Sequence, residues 1–340
     1  MTSITQSVPH HTQWESLPAS LRPPVLTTTQ KMRRVAWNLF SILIPIIGLA
    51  RLGAYLAARL SLRVLLPATY QSEECKKAYR LYFNEICSHF QKNFEVTRTT
   101  VITPDGAPLS VHLFKHRQAT DKTPTTIYFG GNGALKGMGG WSWMLEESFH
   151  KNIPQNLVLF DYRSVDESGG KFNGSKDLLV DGASVVDWVR KILKIPNDRI
   201  NLYGMSLGGA VAVKTAAADD QLTGWVVNER SFSSLGDIIH TFRPRLHWLI
   251  RPLVPLAIWI LRNQGLELDA AADLPKLKGK KLVIYHAHDP IIPYIASMAR
   301  KAPQHAFQLQ GHSTIDNHHC SDLCNYQGAQ DHISNFIFSV

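Results

Sequence analysis

Acidic residues are missing from one long stretch of the sequence. Between Ser16 and Ser72 there is neither aspartate nor glutamate, while Arg22, Lys31, Arg33, Arg34, Arg51, Arg59 and Arg63 all lie there. The net charge of +9 over 340 residues is therefore a local excess. It surrounds VAWNLFSILIPIIGLA, Val35 to Ala50, an apolar run without charge. A nucleic acid could use the cations but not the apolar surface between them, so the combination points to an anionic lipid surface and away from nucleic acid. Cysteine is scarce as well. Cys75, Cys87, Cys320 and Cys324 are too few and too unevenly placed for a disulfide framework, and they read as reduced thiols of a chain that folds in a reducing compartment. A hydrophobic run of spanning length is also lacking: Val35–Ala50 has 16 residues with Pro45 among them, against about 17 to 25 for a transmembrane helix. Polar, proline-bearing sequence precedes the run and no small-residue cleavage site follows it, which argues against a cleaved signal peptide.

The continuation RLGAYLAARLSLRVLL is apolar with regularly spaced arginines, as in an amphipathic helix whose cations reach for headgroups. An interfacial or re-entrant anchor is the favoured reading of this region; a true span and a helix packed on the protein's own core are the alternatives. Residues 1–30, with Pro9, Pro18, Pro23 and Pro24 among many Ser and Thr, read as a disordered polar N-terminus. Residues 31–95 read as a basic, apolar helical region, and residues 96–340 as one α/β domain. The 44% hydrophobic content suffices for a substantial core.

That domain begins with two strand candidates, FEVTRTTVIT and LSVHLFKH. The later ones, TTIYFGG, NLVLFDYR, RINLYG, LTGWVVNE, KLVIYHAHD and HAFQLQ, are short and nearly continuous in apolar character, as strands covered on both faces should be. SKDLLVDGASVVDWVRKIL, LGGAVAVKTAAA and PYIASMARKA between them have helical character. The alternation predicts an α/β fold with a doubly wound, mostly parallel sheet opened by an antiparallel pair. Ligands of such sheets gather beyond the carboxyl ends of the strands.

LYGMSLGGAV, Leu202 to Val211, supplies chemistry at that place. Ser206 stands between Gly204 and Gly208, at the end of a strand and immediately before a helix. This is the setting of a nucleophile elbow, in which small flanking residues let a strained turn pass close to its neighbours and leave the hydroxyl exposed. A serine hydroxyl needs a base to take its proton and an acid to orient that base. Asp289, after the strand KLVIY, is the expected acid; Asp269 and Asp273 compete but have no strand before them. The base is expected from the loop GHSTIDNHHCSDL after the last strand. His319 is preferred there, with His312 and His318 as alternatives. Donors for a developing oxyanion are expected from the amide of Leu207 and from the GGNG loop (Gly130, Gly131, Asn132, Gly133) at the amide of Asn132. A phosphate cradle would want a lysine followed by serine or threonine, whereas Lys136 precedes Gly137.

Gly131-Asn132-Gly133, Asp161-Tyr162-Arg163 and the elbow Gly204–Gly208 together resemble the α/β-hydrolase superfamily, across about 240 residues from position 96 onward. With the basic apolar N-terminal region, the chain is similar to the CHLPS-type proteins of chlamydiae and the SidB-type lipase-like proteins that Legionella delivers into host cells. Two departures stand out: Gly130 occupies a position usually held by histidine, and the base loop offers three histidines. The resemblance implies that the stretch from about 237 to 278 is a cap. It contains LHWLIRPLVPLAIWIL with Trp248, Trp259, Arg245, Arg251 and Arg262, a composition that suits a bilayer interface or an acyl-chain pocket, or a helix buried on the fold.

His286, His288, His318, His319, Cys320 and Cys324 are of metal-ligating types. HAHD lacks a residue required by the dinuclear metallohydrolase pattern, and HHCSDLC has no second paired cluster, so neither metal nor cofactor is expected. The reading is a membrane-associated serine ester hydrolase of lipase, esterase or thioesterase type, facing the cytoplasm, acting on a lipid or acyl ester; delivery to a host cell goes with the narrower resemblance. A non-catalytic tether on the same fold, binding lipid or a protein, is the alternative.

Overall fold

The computed structural model describes residues 5–43, 49, 52–53, 56, 63, 65–136, 138, 140–311 and 317–338. Its strands are β1 (Thr5–Gln6), β2 (His10–His11), β3 (Phe94–Ile102), β4 (Pro108–His116), β5 (Thr125–Phe129), β6 (Asn156–Phe160), β7 (Ile200–Met205), β8 (Val226–Glu229), β9 (Lys281–Tyr285) and β10 (Ala306–Gln308). Helices along the chain are α1 (Thr28–Leu43), α2 (Glu73–Phe90), α3 (Ser142–His150), α4 (Ser175–Lys191), α5 (Leu207–Ala218), α6 (Leu235–Phe242), α7 (Val254–Asn263), α8 (Met298–Lys301) and α9 (Ala329–Phe338).

The ten strands form one sheet in the order β1-β3-β4-β6-β5-β7-β8-β9-β10, with β2 also on β3. Pairing is parallel except for β3 with β4 and β4 with β6. Every residue of β5 and β6 is buried, because helices cover both faces of these central strands. Helices α4 and α5 pack with the sheet into one apolar layer, and α2, α3 and α9 into the other. The chain runs from β5 outward to β6 and then returns to the opposite side of β5 as β7. That reversal places the loops after β5 and β7 side by side at the carboxyl ends of the strands, where ligands of such sheets gather.

Of residues 1–30, for which disorder is expected, the described part from Thr5 to Leu21 is ordered against the domain. Thr5–Gln6 and His10–His11 pair in parallel with Thr97–Arg98 and Val101–Ile102. Leu17 and Leu21 are buried against Val180 and Ala183 of α4. Two leucines one helical turn apart, at about 1.5–3 kcal/mol each, together with the ladder bonds on β3, outweigh the polar composition. Helix α1 then starts at a reciprocal cap, in which Gln30 N donates to Thr27 Oγ1 and Thr27 N to Gln30 Oε1. From Thr28 to Phe40 every residue is exposed, including Met32, Val35, Trp37, Leu39 and Phe40, so this part of the helix does not pack on the core. Residues 44–48 and 50 of the run Val35–Ala50 and most of the run after it lie outside the described residues. Among the described residues no helix is long and apolar enough to cross a membrane.

Between β8 and β9 the chain makes the helical insertion that the sequence suggests as a cap. Only Val254 and Ile258 of α7 are buried. Phe242, Trp248, Leu249, Leu253, Leu256 and Trp259 are exposed, so the alternative of a helix buried on the fold does not hold for this segment as a whole.

His112 of β4 is 3% exposed, its ring edge-on to Phe83 at 4.9 Å, beside a cavity of about 240 Å³ that Lys136 also lines. Burial, with the Lys136 ammonium second, pushes its pKa down from 6.5 to about 3. The folded protein therefore keeps His112 neutral while the unfolded chain takes up a proton below pH 6.5. Stability is expected to fall from this site alone by about 1.4 kcal/mol per pH unit on going from roughly pH 6 to pH 4. Urea unfolding across that range should show a shallower slope in His112→Gln; an unchanged slope would refute the assignment.

Candidate active site

Ser206 links β7 to α5 with φ 54° and ψ −123°, a left-handed conformation that costs a non-glycine residue about 1–3 kcal/mol and persists only where its surroundings enforce it. Those surroundings are close-packed main chain. A Cβ on Gly204 would lie 2.2 Å from the Gly208 carbonyl oxygen, and one on Gly208 would lie 2.0 Å from that of Phe129. The Ser206 amide donates to the Glu229 carbonyl of β8 at 2.9 Å, which fixes the turn to its neighbour strand.

Three of the side chains singled out in the sequence converge. Ser206 Oγ lies 2.9 Å from His319 Nε2, and His319 Nδ1 lies 2.8 Å from Asp289 Oδ2. All three residues are buried. Asp289 Oδ1 accepts the amides of Ile291 and Ile292, both at 2.8 Å, so the carboxylate is held by its own loop with one oxygen left for the imidazole. With the Nδ1 proton directed at Asp289, Nε2 is free to accept from the Ser206 hydroxyl. The His319 amide in turn donates to Asn317 Oδ1 at 3.1 Å.

The competitors sit elsewhere. His318 stacks on His286 with ring centroids 3.6 Å apart and places Nδ1 3.3 Å from the Tyr326 hydroxyl. His312 lies outside the described residues. Asp273 pairs with Lys214 and Lys276, and Asp269 accepts the amide of Ala272. Among the described residues, no three His, Cys, Asp or Glu side chains form a metal-binding group.

The GGNG loop after β5 borders Ser206: a Cβ on Gly131 would be 3.5 Å from that of Ser206. Leu207, also buried, opens α5, and first-turn amides have no acceptor within their own helix while facing its positive end. The loop is clamped by carbonyls and carboxylates. Asn132 O accepts the amide of Ala68 at 3.1 Å, and Gly133 O accepts Gln71 Nε2 at 2.6 Å. Lys136 donates from its amide to Asp161 Oδ1 at 2.7 Å and from Nζ to Oδ2 at 2.5 Å. Asp161 therefore anchors the chain at Lys136, just beyond the GGNG loop, and Arg163 is buried in ion pairs with Asp181 and Asp105. Sequence reading missed the roles of Lys136, Asn317 and Arg230, a buried arginine whose guanidinium reaches the His319 loop. The polar run NER at the end of an otherwise apolar strand, Asn228 to Arg230, was the available signal for the last of these.

The sheet order, the helices on both faces, the strained serine turn and the insertion after β8 define an α/β-hydrolase fold. An acetyl xylan esterase from Paenibacillus sp. R4 shares that fold, with TM-score 0.52 and 14% identity over 82% of this chain and 98% of that one. Residues 156–255 match the family of X-Pro dipeptidyl-peptidases (S15 family). The chain is 26% identical to protein bem46 of Schizosaccharomyces pombe over 152 residues, 45% of this chain and 50% of bem46. It is 25% identical to the alpha/beta hydrolase domain-containing protein WAV2 of Arabidopsis thaliana over 197 residues, 54% of this chain and 61% of WAV2. The matched stretch thus spans about half the length of the first of these relatives.

Proposed function

We propose that the protein is a membrane-associated serine hydrolase that cleaves an acyl ester through an acyl-enzyme. The observation that carries this reading is the unbroken chain Ser206 Oγ, His319 Nε2, His319 Nδ1, Asp289 Oδ2, at 2.9 Å and 2.8 Å. In that order Ser206 Oγ attacks the ester carbonyl as its proton passes to Nε2, and Asp289 stabilises the imidazolium. The amides of Leu207 and Asn132 receive the oxyanion. Nε2 then protonates the departing alcohol, and water, activated by the same nitrogen, releases the acid. Hydrolysis of short and long p-nitrophenyl esters tests the reaction and ranks acyl length; no turnover of any of them would sink it.

Membrane association rests on α1, where Lys31, Arg33 and Arg34 accompany exposed Met32, Val35, Trp37, Leu39 and Phe40. The cap adds exposed Trp248 and Trp259 within a stretch free of acidic residues from Ile238 to Leu266. Basic residues near an anionic surface are worth about 1 kcal/mol each. Replacing Lys31, Arg33 and Arg34 together by glutamine is therefore expected to weaken binding to phosphatidylserine vesicles about 100-fold in flotation. Equal binding to neutral and anionic vesicles, unchanged in the triple variant, would count against it. The exposed cap also supports the second reading, a tether on the same fold, for which vesicle binding without any ester turnover is the signature. Kinship with the CHLPS-type and SidB-type proteins, and delivery into a host cell with it, is the narrower form of the proposal.

A further inference from the structure

His319 stands on a turn, outside any helix or strand. The position of its imidazole therefore depends on what holds the main chain on either side, and a side chain from just beyond β8 holds both sides. Arg230 follows β8 directly, has φ 46° and is 4% exposed. Its Nη1 donates to the carbonyl of His318 at 2.8 Å and to that of Ser321 at 2.6 Å, so the two acceptors bracket His319. Its Nη2 pairs with Glu229 Oε1. Glu229 Oε2 accepts from the hydroxyl of Tyr203 on β7 at 2.6 Å, and the Glu229 carbonyl accepts the Ser206 amide at 2.9 Å.

One dipeptide thus grips both partners of the proton transfer, the nucleophile through the main chain of Glu229 and the base loop through the side chain of Arg230. Resting on the hydrolase reading above for its kinetic consequences, we infer that Arg230 is a positioning residue that sets the His319 imidazole between Ser206 and Asp289. The clamp works by geometry. Glu229 pairs with the guanidinium beside it and fixes its plane. A planar fork holds two carbonyls and a carboxylate at once, which a lysine ammonium on a flexible stem does not reproduce. Tyr326 also donates to the His318 carbonyl, at 3.0 Å, on the near side of His319.

The test compares wild type with Arg230→Lys, Arg230→Met and Arg230→Gly. Displacing a catalytic group by about 1 Å costs on the order of 100-fold in rate. Arg230→Lys and Arg230→Met are therefore expected to lose about 100-fold in kcat with KM within about threefold. Arg230→Gly, whose backbone takes positive φ freely, is expected to regain roughly tenfold on addition of methylguanidine. A readout without substrate accompanies these: the downfield proton NMR signal of the His319 Nδ1–H bonded to Asp289 should be sharp in wild type and broadened or lost in Arg230→Met. Should Arg230→Met fail to fold, Arg230→Lys and the guanidine rescue decide. Retention of kcat within about threefold by Arg230→Lys, or an undisturbed downfield proton in a folded Arg230→Met, overturns the clamp. A wild type that shows that proton but never turns over an ester defeats the hydrolase reading instead, and leaves the clamp standing on the signal and its loss in Arg230→Met.

Discussion

Ser206→Ala is expected to remove ester hydrolysis almost entirely, by about 10⁵- to 10⁶-fold in kcat, the scale on which loss of a triad nucleophile acts elsewhere. Among the described residues the partner of the buried hydroxyl is His319 Nε2, and the turn itself is held by main-chain contacts. The variant should therefore stay folded, with melting temperature within a few degrees of wild type, and vesicle binding should persist. Covalent uptake of a fluorophosphonate probe, followed by intact mass, gives the cleanest measurement. One adduct in wild type and none in Ser206→Ala is the expected pair of results. Equal labelling of both, or none of wild type with hydrolysis still present, would move the nucleophile elsewhere.

Gly208→Ala is expected to damage the structure rather than the chemistry. The new methyl would lie 2.0 Å from the Phe129 carbonyl oxygen, 2.5 Å from its carbon and 2.6 Å from the Gly130 carbonyl oxygen. These are main-chain atoms at the end of a central strand, so no side-chain rotation relieves the clash. Either β5 and the GGNG loop shift or the elbow opens, and a cost of about 4 kcal/mol or more places the variant among the few severe single substitutions. At roughly 2–4 °C per kcal/mol for a large domain, the melting temperature should fall by about 10 °C, or folded protein should not be recovered. Gly133→Ala is the matched control, since a Cβ there meets nothing within 4 Å. Similar losses in both variants would mean that the close approach at Gly208 is not what holds the elbow.

How much of this could be read from the sequence depended on how local each feature is. The elbow is contiguous, with strand end, serine and helix start within ten residues, and glycines at 204 and 208 leave few other arrangements. Asp289 was legible because it stands in the short loop that follows an apolar strand, just beyond Tyr285. The base loop was different. Three histidines lie within eight residues, and what separates His318 from His319 is set by contacts that spacing does not reveal: Arg230, from just beyond β8, holds the turn, while the distant His286 and the nearer Tyr326 occupy the His318 ring. The Lys136–Asp161 clamp has the same character, since its partners are 25 residues apart. The N-terminal stretch misled because its composition is mostly polar, whereas the order from Thr5 to Leu21 comes from two leucines and a free strand edge.

That edge carries a consequence for handling the protein. β1 and β2 lie along β3 on the side away from β4, and they satisfy main-chain groups that would otherwise face outward at the rim of the sheet. Unpaired rims invite a strand from another molecule. A chain trimmed back to Gln13 in the belief that its beginning is slack would bare that rim, and would exchange a self-contained sheet for a sticky one.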